Sequence, residues 1–199
     1  MQASIFLREN TRDAHRATEK SAQSHLIMSG TITTADYTAM MAANYKVWSG
    51  VHAALKQYQA TTGTTAWIRH LAPMVDHLEK DLQMLSLSPP KNQTPTSLLI
   101  NSDQAALGAC YVLFGSLLGG VHIYRALQKN ASVEALGALH FYEACSQSDR
   151  SKWQSFQEQL DEYLYTPARQ QAAANTAKSV FLLFREAYTR AFQHSSTHE

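Results

Sequence analysis

Tyr111-Val-Leu-Phe-Gly-Ser-Leu-Leu-Gly-Gly120 places three glycines inside an apolar segment, from Gln104 to Tyr124, that contains no Asp, Glu, Lys or Arg. That length is close to the roughly 20 residues that a membrane-spanning helix requires. The segment is rich in small residues, lacks a long Leu/Ile/Val run and contains the polar His122. These features favour a helix buried inside the protein, with a transmembrane helix as the less favoured alternative.

The glycines need a compensating reason if this segment is helical. Each glycine in a helix interior costs about 1 kcal/mol relative to alanine, so the three together cost roughly 3 kcal/mol. Gly115 and Gly119 are four residues apart and therefore share one helix face. Two explanations stay open: a neighbouring helix packs closely here, or a flat ligand rests against the bare backbone. A phosphate-binding loop is disfavoured, because no G-x-x-x-x-G-K motif and no strand precede the helix.

Helical periodicity continues through most of the chain, whereas alternating strand patterns are nearly absent. We predict helices at about 4–24, 33–58, 65–85, 104–124, 132–145, 149–165 and 167–193. The proline-rich stretch Ser86–Thr96 is predicted to be a long loop. The whole chain, 1–199, is therefore interpreted as a single all-α domain, a bundle of seven to eight helices with a frayed tail at 194–199.

Composition limits the classes of function. The 199 residues are 45% hydrophobic with a net charge of +1, which suits one domain with its own core and indicates neither nucleic acid nor a membrane as partner. Cys110 and Cys145 show no C-x-x-C spacing, so two reduced thiols in a cytoplasmic protein are expected. Because charged residues follow from Arg8 onward, no apolar signal segment is expected in the first residues of this sequence.

Arg8, Arg12, His15 and Glu19 fall on one narrow stripe of the first predicted helix. One interpretation is an ordinary solvated face. In the other, the His15 imidazole ligates a metal while Glu19 accepts its second ring N–H, and the arginines pair with carboxylates of the same ligand. The remaining histidines do not form a cluster with useful ligand spacing, and neither H-E-x-x-H nor G-x-S-x-G occurs.

Four segments resemble heme oxygenases in the same order along the chain. Leu7-Arg-Glu-Asn-Thr-Arg-Asp-Ala-His-Arg-Ala-Thr-Glu19 is similar to their L-[RK]-x-x-T-x-x-x-H-x-x-x-E signature, and the glycine segment is similar to their bacterial Y-V-x-x-G-S-x-L-G-G motif. The stretches 68–82 and 165–183 resemble the R…L…D-L and T-P…K-x-x-F segments of the family. The similarity therefore spans nearly the whole chain and implies the heme oxygenase-like fold.

The resemblance also assigns roles to individual residues. It implies that His15 is the axial ligand of a heme iron and that Glu19 supports this imidazole. The distal helix, which lies across the other heme face, corresponds to Gly115, Ser116, Gly119 and Gly120. Contacts to the heme propionates correspond to Arg8, Arg12 and Lys178, with Arg185 a looser match, and Trp48 falls where some relatives place a distal-pocket tyrosine.

Two positions depart from the family pattern. Ser116 stands where animal-type enzymes carry aspartate, although bacterial relatives often have serine there too. Phe114 replaces the usual glutamate of the bacterial motif. Both departures leave the group that delivers protons on the distal side unassigned.

The implied reaction opens the heme ring with O2 and electrons, releasing biliverdin, carbon monoxide and ferrous iron, so heme is both cofactor and substrate. Without a flavin or nicotinamide motif, the electrons are expected from a separate ferredoxin, flavodoxin or reductase. A monomer is the default expectation. The alternatives are a heme-binding or trafficking protein of the same fold, a fold relative acting on another small molecule, such as a thiaminase-like enzyme, and a helical interaction module.

Overall fold

The computed structural model describes residues 2–58, 64–89, 95 and 98–195. These residues form nine α-helices and no strand, which confirms the all-α prediction. The helices are α1 (Ala3–Ser21), α2 (Ser24–Met28), α3 (Thr34–Gln57), α4 (Thr64–Met84), α5 (Asp103–Leu127), α6 (Ala131–Glu134), α7 (His140–Ser146), α8 (Arg150–Tyr163) and α9 (Pro167–Ser195).

One unpredicted short helix and one divided helix explain why the described residues contain nine helices instead of seven to eight. Gln23 adopts a left-handed backbone with φ of 50°, which separates α1 from α2. Gly137, with φ of 65°, lies in the turn between α6 and α7, a conformation that glycine adopts without steric cost. The predicted helix at 132–145 is therefore divided into α6 and α7, whereas α2 lies almost entirely beyond the end of the predicted helix at 4–24 and is an additional short helix.

The loop and the tail lie partly outside the described residues. Within the predicted loop, residues 87–89 and 95 are non-helical, whereas 90–94 and 96 are among the residues not described. At the C-terminus, α9 continues to Ser195, so residues 194 and 195 are helical where a frayed tail was expected. Residues 196–199 lie outside the described part of the chain.

Helix α5 runs through the centre of the hydrophobic core and packs on α9, α7 and α4. Among the described residues it is the one helix long and apolar enough to span a membrane, yet more than half of its most apolar window is buried in the protein. Gly108 explains its close approach to α9, because a Cβ atom there would overlap the Ala173 carbonyl oxygen. The charge-free segment thus forms a core helix, as its composition indicates.

Helix α1 packs along α9 and contacts α8. Its first residue is fixed by a long-range contact, since the Ala3 amide donates to the Asp161 carboxylate of α8 over 2.6 Å. Ala3, Leu7 and Thr11 are buried, while the charged stripe on another face remains exposed. Because α5 packs on α9 as well, the polar stripe of α1 and the glycine face of α5 border a common groove.

Candidate functional site

Two adjoining cavities of about 370 and 460 Å³ form this groove between α1, α5 and α9. Each volume lies within the range of roughly 300–1,000 Å³ that is typical of small-molecule sites. Both cavities are lined by His15, Glu19, Val112, Gly115, Ser116 and Phe181. We call one side the arginine end, where Arg8, Arg12 and Arg16 lie, and the other the tyrosine end, where Met40, Tyr142 and Tyr188 lie.

His15 presents its imidazole to the groove from α1, and 55% of the side chain is exposed. Its ring meets the edge of Phe181 at a centroid distance of 5.5 Å. The Nδ1 atom lies 3.6 Å from Glu19 Oε2, one helical turn away. A carboxylate on this side favours the tautomer with its proton on Nδ1, which leaves the Nε2 lone pair available as a metal ligand.

The described residues contain no group of three or more His, Cys, Asp or Glu side chains that could hold a bare metal ion. His15 therefore offers a single strong ligand, supported by Glu19. A metal that already has its equatorial ligands from a macrocycle needs only such an axial ligand from the protein. The donor set thus fits a heme iron better than a free cation.

The glycines of α5 face two different environments. A Cβ atom on Gly119 would have no neighbour within 4 Å, and one on Gly115 would meet only Trp153, at 3.9 Å. At Gly120, in contrast, a Cβ atom would lie 2.6 Å from both the Cβ and the Sγ atom of Cys145 in α7. Gly115 and Gly119 thus present bare backbone to the groove, whereas Gly120 allows close helix packing, so the packing explanation applies to Gly120 and the space that a flat ligand would need lies at Gly115 and Gly119.

Ser116 and Phe114, the two departures from the family motif, have separate structural roles. The Ser116 hydroxyl borders the groove but donates to the Leu113 carbonyl oxygen of its own helix over 2.7 Å. Phe114 is buried and stacks on Phe156 with ring centroids 5.1 Å apart. The side chain at position 114 therefore contributes to the core, and that at 116 is already engaged with the backbone.

Basic side chains gather at one end of the groove. Arg8, Arg12 and Arg16 line the arginine end and are exposed, and no carboxylate of the described chain pairs with any of them. Lys178 and Arg185 are exposed on α9, one turn before and one turn after the groove-lining Phe181. Neither Lys178 nor Arg185 lines either cavity. The cations that the structure places at the groove, for an anionic group of a ligand, are therefore those of the three arginines.

Trp48 is not brought into the groove. Its side chain is 1% exposed and packs against the ring of Phe141 at a centroid distance of 5.4 Å, between α3 and α7. A ring of this size contributes most when it fills the core. We therefore leave Trp48 out of the candidate site.

Two aromatic walls of the arginine end were missed from the sequence. Trp153 of α8 and Tyr111 of α5 line this end, with ring centroids 5.8 Å apart. Burial raises the pKa of Tyr111, while a hydrogen bond with Thr11 and the charge of Arg8 act in the opposite direction. The contact between Trp153 and α5 could not be predicted from the periodicity of α8, because it forms only when the two helices pack in the folded chain.

The tyrosine end contains a buried polar network that sequence analysis also missed. The Asn44 side-chain amide donates to the Tyr142 hydroxyl over 3.1 Å and accepts from the Tyr188 hydroxyl. Tyr142 in turn lies 3.9 Å from the Met40 sulfur. The available signal was Asn44 itself, a polar residue on the otherwise apolar, buried side of α3, where a side-chain amide requires partners.

Comparison with known proteins agrees with this architecture. The sequence profile described as heme oxygenase matches residues 1–190. A protein of Xanthomonas campestris pv. campestris (strain 8004), named heme oxygenase, is 28% identical over 155 residues, which cover 78% of this chain and 90% of that protein.

Solved structures show the same fold at lower sequence identity. The heme oxygenase of Leptospira interrogans superposes with a TM-score of 0.73 at 22% identity, covering 96% of this chain and all of that one. Heme oxygenase-1 of Synechocystis sp. PCC6803, solved in complex with heme, gives a TM-score of 0.71 at 16% identity over 99% of this chain and 97% of that one. Because the profile covers nearly the entire sequence, this chain belongs to the heme oxygenase family.

Proposed function

We propose that this chain binds one heme in the groove and opens its ring with O2 and external electrons, giving biliverdin, carbon monoxide and ferrous iron. One observation carries the proposal. The His15 imidazole on α1 and the bare backbone of Gly115 and Gly119 on α5 border the same groove. A flat macrocycle with an axial metal site matches both walls at once.

On the α1 side, His15 would hold the iron through Nε2. Glu19 would accept a hydrogen bond from the Nδ1–H group, which orients the imidazole and strengthens its donation to the iron. The edge contact with Phe181 limits rotation of the imidazole ring. These two neighbours fix the direction in which the ligand lone pair points.

On the α5 side, Gly115 and Gly119 would let the ring approach the helix closely and still leave space for a small ligand. The propionates would pair with Arg8 and Arg12 at the arginine end and with Lys178 and Arg185 on α9. Such ion pairs fix the rotation of the ring within its plane and thereby decide which ring carbon reacts. The bound heme supplies the redox chemistry.

Electrons would come from a separate ferredoxin, flavodoxin or reductase, since the sequence carries no flavin or nicotinamide motif. Two buried thiols and the absence of a C-x-x-C motif fit a cytoplasmic protein. We propose a monomer as the working unit.

Reconstitution with hemin tests this function. We expect a 1:1 ferric complex with histidine ligation that converts to biliverdin when a ferredoxin system or ascorbate is added in air. The His15→Ala variant is expected to lose turnover while keeping most of its hemin affinity, and added imidazole should partly restore ligation and activity. Absorption spectra and the extracted pigment report both steps.

The matched control is His25→Ala, which removes an exposed imidazole from α2 outside the groove and should leave the complex unchanged. Full activity in His15→Ala would rule out this ligand assignment. A stable wild-type complex that yields no pigment with any competent donor would instead identify a heme-binding or trafficking protein.

A further inference from the structure

The network at the tyrosine end is a chain of donors with one direction. Tyr188 donates its hydroxyl proton to the Asn44 carbonyl oxygen, and the Asn44 NH2 group donates to the Tyr142 hydroxyl oxygen. The Tyr142 hydroxyl then donates to the Met40 sulfur at 3.9 Å. The chain therefore ends at the Tyr142 O–H group.

That last donor has a poor partner. A thioether sulfur is only a weak acceptor, whereas the two preceding bonds each use an oxygen acceptor. Hydrogen bonds in such a chain polarise one another, so the final O–H is a stronger donor than an isolated phenol. Tyr142 and Met40 both border the groove, which allows this hydroxyl to turn toward a better acceptor there.

Packing fixes the position of Tyr142 and keeps its proton in place. Its ring would lie 3.7 Å from a Cβ atom at Gly120, an ordinary van der Waals distance, so the ring of Tyr142 packs close to α5 at this position. Burial raises the pKa of Tyr142 and of Tyr188 well above the ordinary value for a phenol. Both side chains therefore remain neutral donors across the physiological pH range.

Building on the function proposed above, we propose that Tyr142 donates a hydrogen bond to a small ligand held on the glycine-bearing side of the heme. Asn44 and Tyr188 act as positioning residues that orient this donor. The arrangement supplies a polar contact that Ser116 does not, because its hydroxyl donates to Leu113. It also replaces a polar group that position 114 does not offer, because Phe114 stands in place of the usual glutamate and its ring is part of the core.

Ligand binding to the reconstituted heme protein tests this inference without turnover. Azide on the ferric complex and carbon monoxide on the ferrous complex serve as probes. In Tyr142→Phe, the loss of one hydrogen bond should raise the azide dissociation constant about 3- to 10-fold. The infrared band of bound carbon monoxide should move to higher wavenumber, because a donor near the ligand lowers that frequency.

Tyr37→Phe is the matched control, since it removes another buried phenol hydroxyl of the same bundle, one that donates to the Ala138 carbonyl oxygen outside the groove. It should change neither probe. If Tyr142→Phe does not fold, Tyr188→Phe is the second test. Its azide dissociation constant and its carbon monoxide band should shift in the same directions by smaller amounts.

Unchanged azide affinity and an unchanged carbon monoxide band in the folded variant would overturn the role of Tyr142 while leaving the proposed function intact. A wild-type protein that takes up no hemin would instead overturn the proposed function and this inference together.

Discussion

At the scale of single residues, Gly119 and Gly120 are neighbours in α5 with opposite surroundings. A side chain on Gly119 would project into open space, whereas one on Gly120 would press on the Cβ and Sγ atoms of Cys145. Both positions are helical, so the intrinsic helix preference of alanine over glycine favours the same substitution at both. Any difference between the two alanine variants therefore reports the surroundings of the side chain alone.

We expect Gly119→Ala to raise the free energy of unfolding of the apoprotein by about 0.5–1 kcal/mol, since alanine stabilises a helix interior relative to glycine. The same methyl group should weaken hemin binding, because it projects into the groove. Urea denaturation and hemin titration measure the two effects. Tighter hemin binding by Gly119→Ala would contradict the assignment of this face to the ligand.

Gly120→Ala should lower the free energy of unfolding by about 1–3 kcal/mol through overpacking against α7. It serves as the matched partner in the same denaturation series. Equal stabilisation of both variants would show that α7 moves away from α5 at no cost.

At the scale of elements, α7 is held by a carboxylate from another helix. Asp81 of α4 is fully buried and accepts from the backbone amides of His140 and Phe141 over 2.8 and 2.9 Å. It also contacts His140 Nδ1 at 2.7 Å. The residue that precedes α7, Leu139, provides no side-chain cap, so Asp81 satisfies the free amides at this helix start and thereby places Tyr142.

Asp81→Ala should lower the free energy of unfolding by about 2–4 kcal/mol, because it leaves buried donors without an acceptor. Asp76→Ala, on an exposed position of the same helix, is the control and should change stability by no more than about 0.5 kcal/mol. Urea denaturation measures both. A loss in Asp81→Ala as small as that of the control would mean that water replaces the carboxylate at the start of α7.

Local chemistry made several helix ends predictable. The Thr33 hydroxyl accepts from the Asp36 amide at the start of α3, and Pro167 begins α9, both as the sequence indicates. Gly137 was a local signal for the break before α7, but the carboxylate that caps α7 was not predictable, because Asp81 lies 59 residues from His140. The left-handed Gln23 also carries no local signal that periodicity detects.

The candidate site also has one part that the sequence predicts from local spacing and one part that it does not. The stripe from Arg8 to Glu19 and the face with Gly115 and Gly119 were found because each belongs to one helix, where spacing alone defines a face. The tyrosine end joins residues from α3, α7 and α9, so it exists only after these helices pack. Trp48 illustrates the opposite case, since a position matched by resemblance turned out to fill the core.

At the scale of the whole molecule, one hydrophobic cluster includes residues from helices along the entire described chain. Both thiols lie inside it, with Cys110 on α5 and Cys145 on α7, and both are free. Burial raises the pKa of each thiol from 9.0 to about 12. The core thus holds two groups that keep their protons when folded and release them more readily when unfolded.

This difference predicts a loss of stability in alkaline solution. The contribution of the thiols is fully present below pH 9 and is lost as the pH rises from 9 toward 12, because only the unfolded chain releases their protons in that window. The slope approaches about 1.4 kcal/mol per pH unit for each thiol. The buried tyrosines add to it above pH 10. Urea denaturation at pH 8, 9 and 10 measures this loss. The free energy of unfolding should fall less steeply with pH in the double variant Cys110→Ala, Cys145→Ala than in the wild type, whatever the stability of the variant at pH 8. Parallel curves for the two proteins would show that the folded protein exposes its thiols.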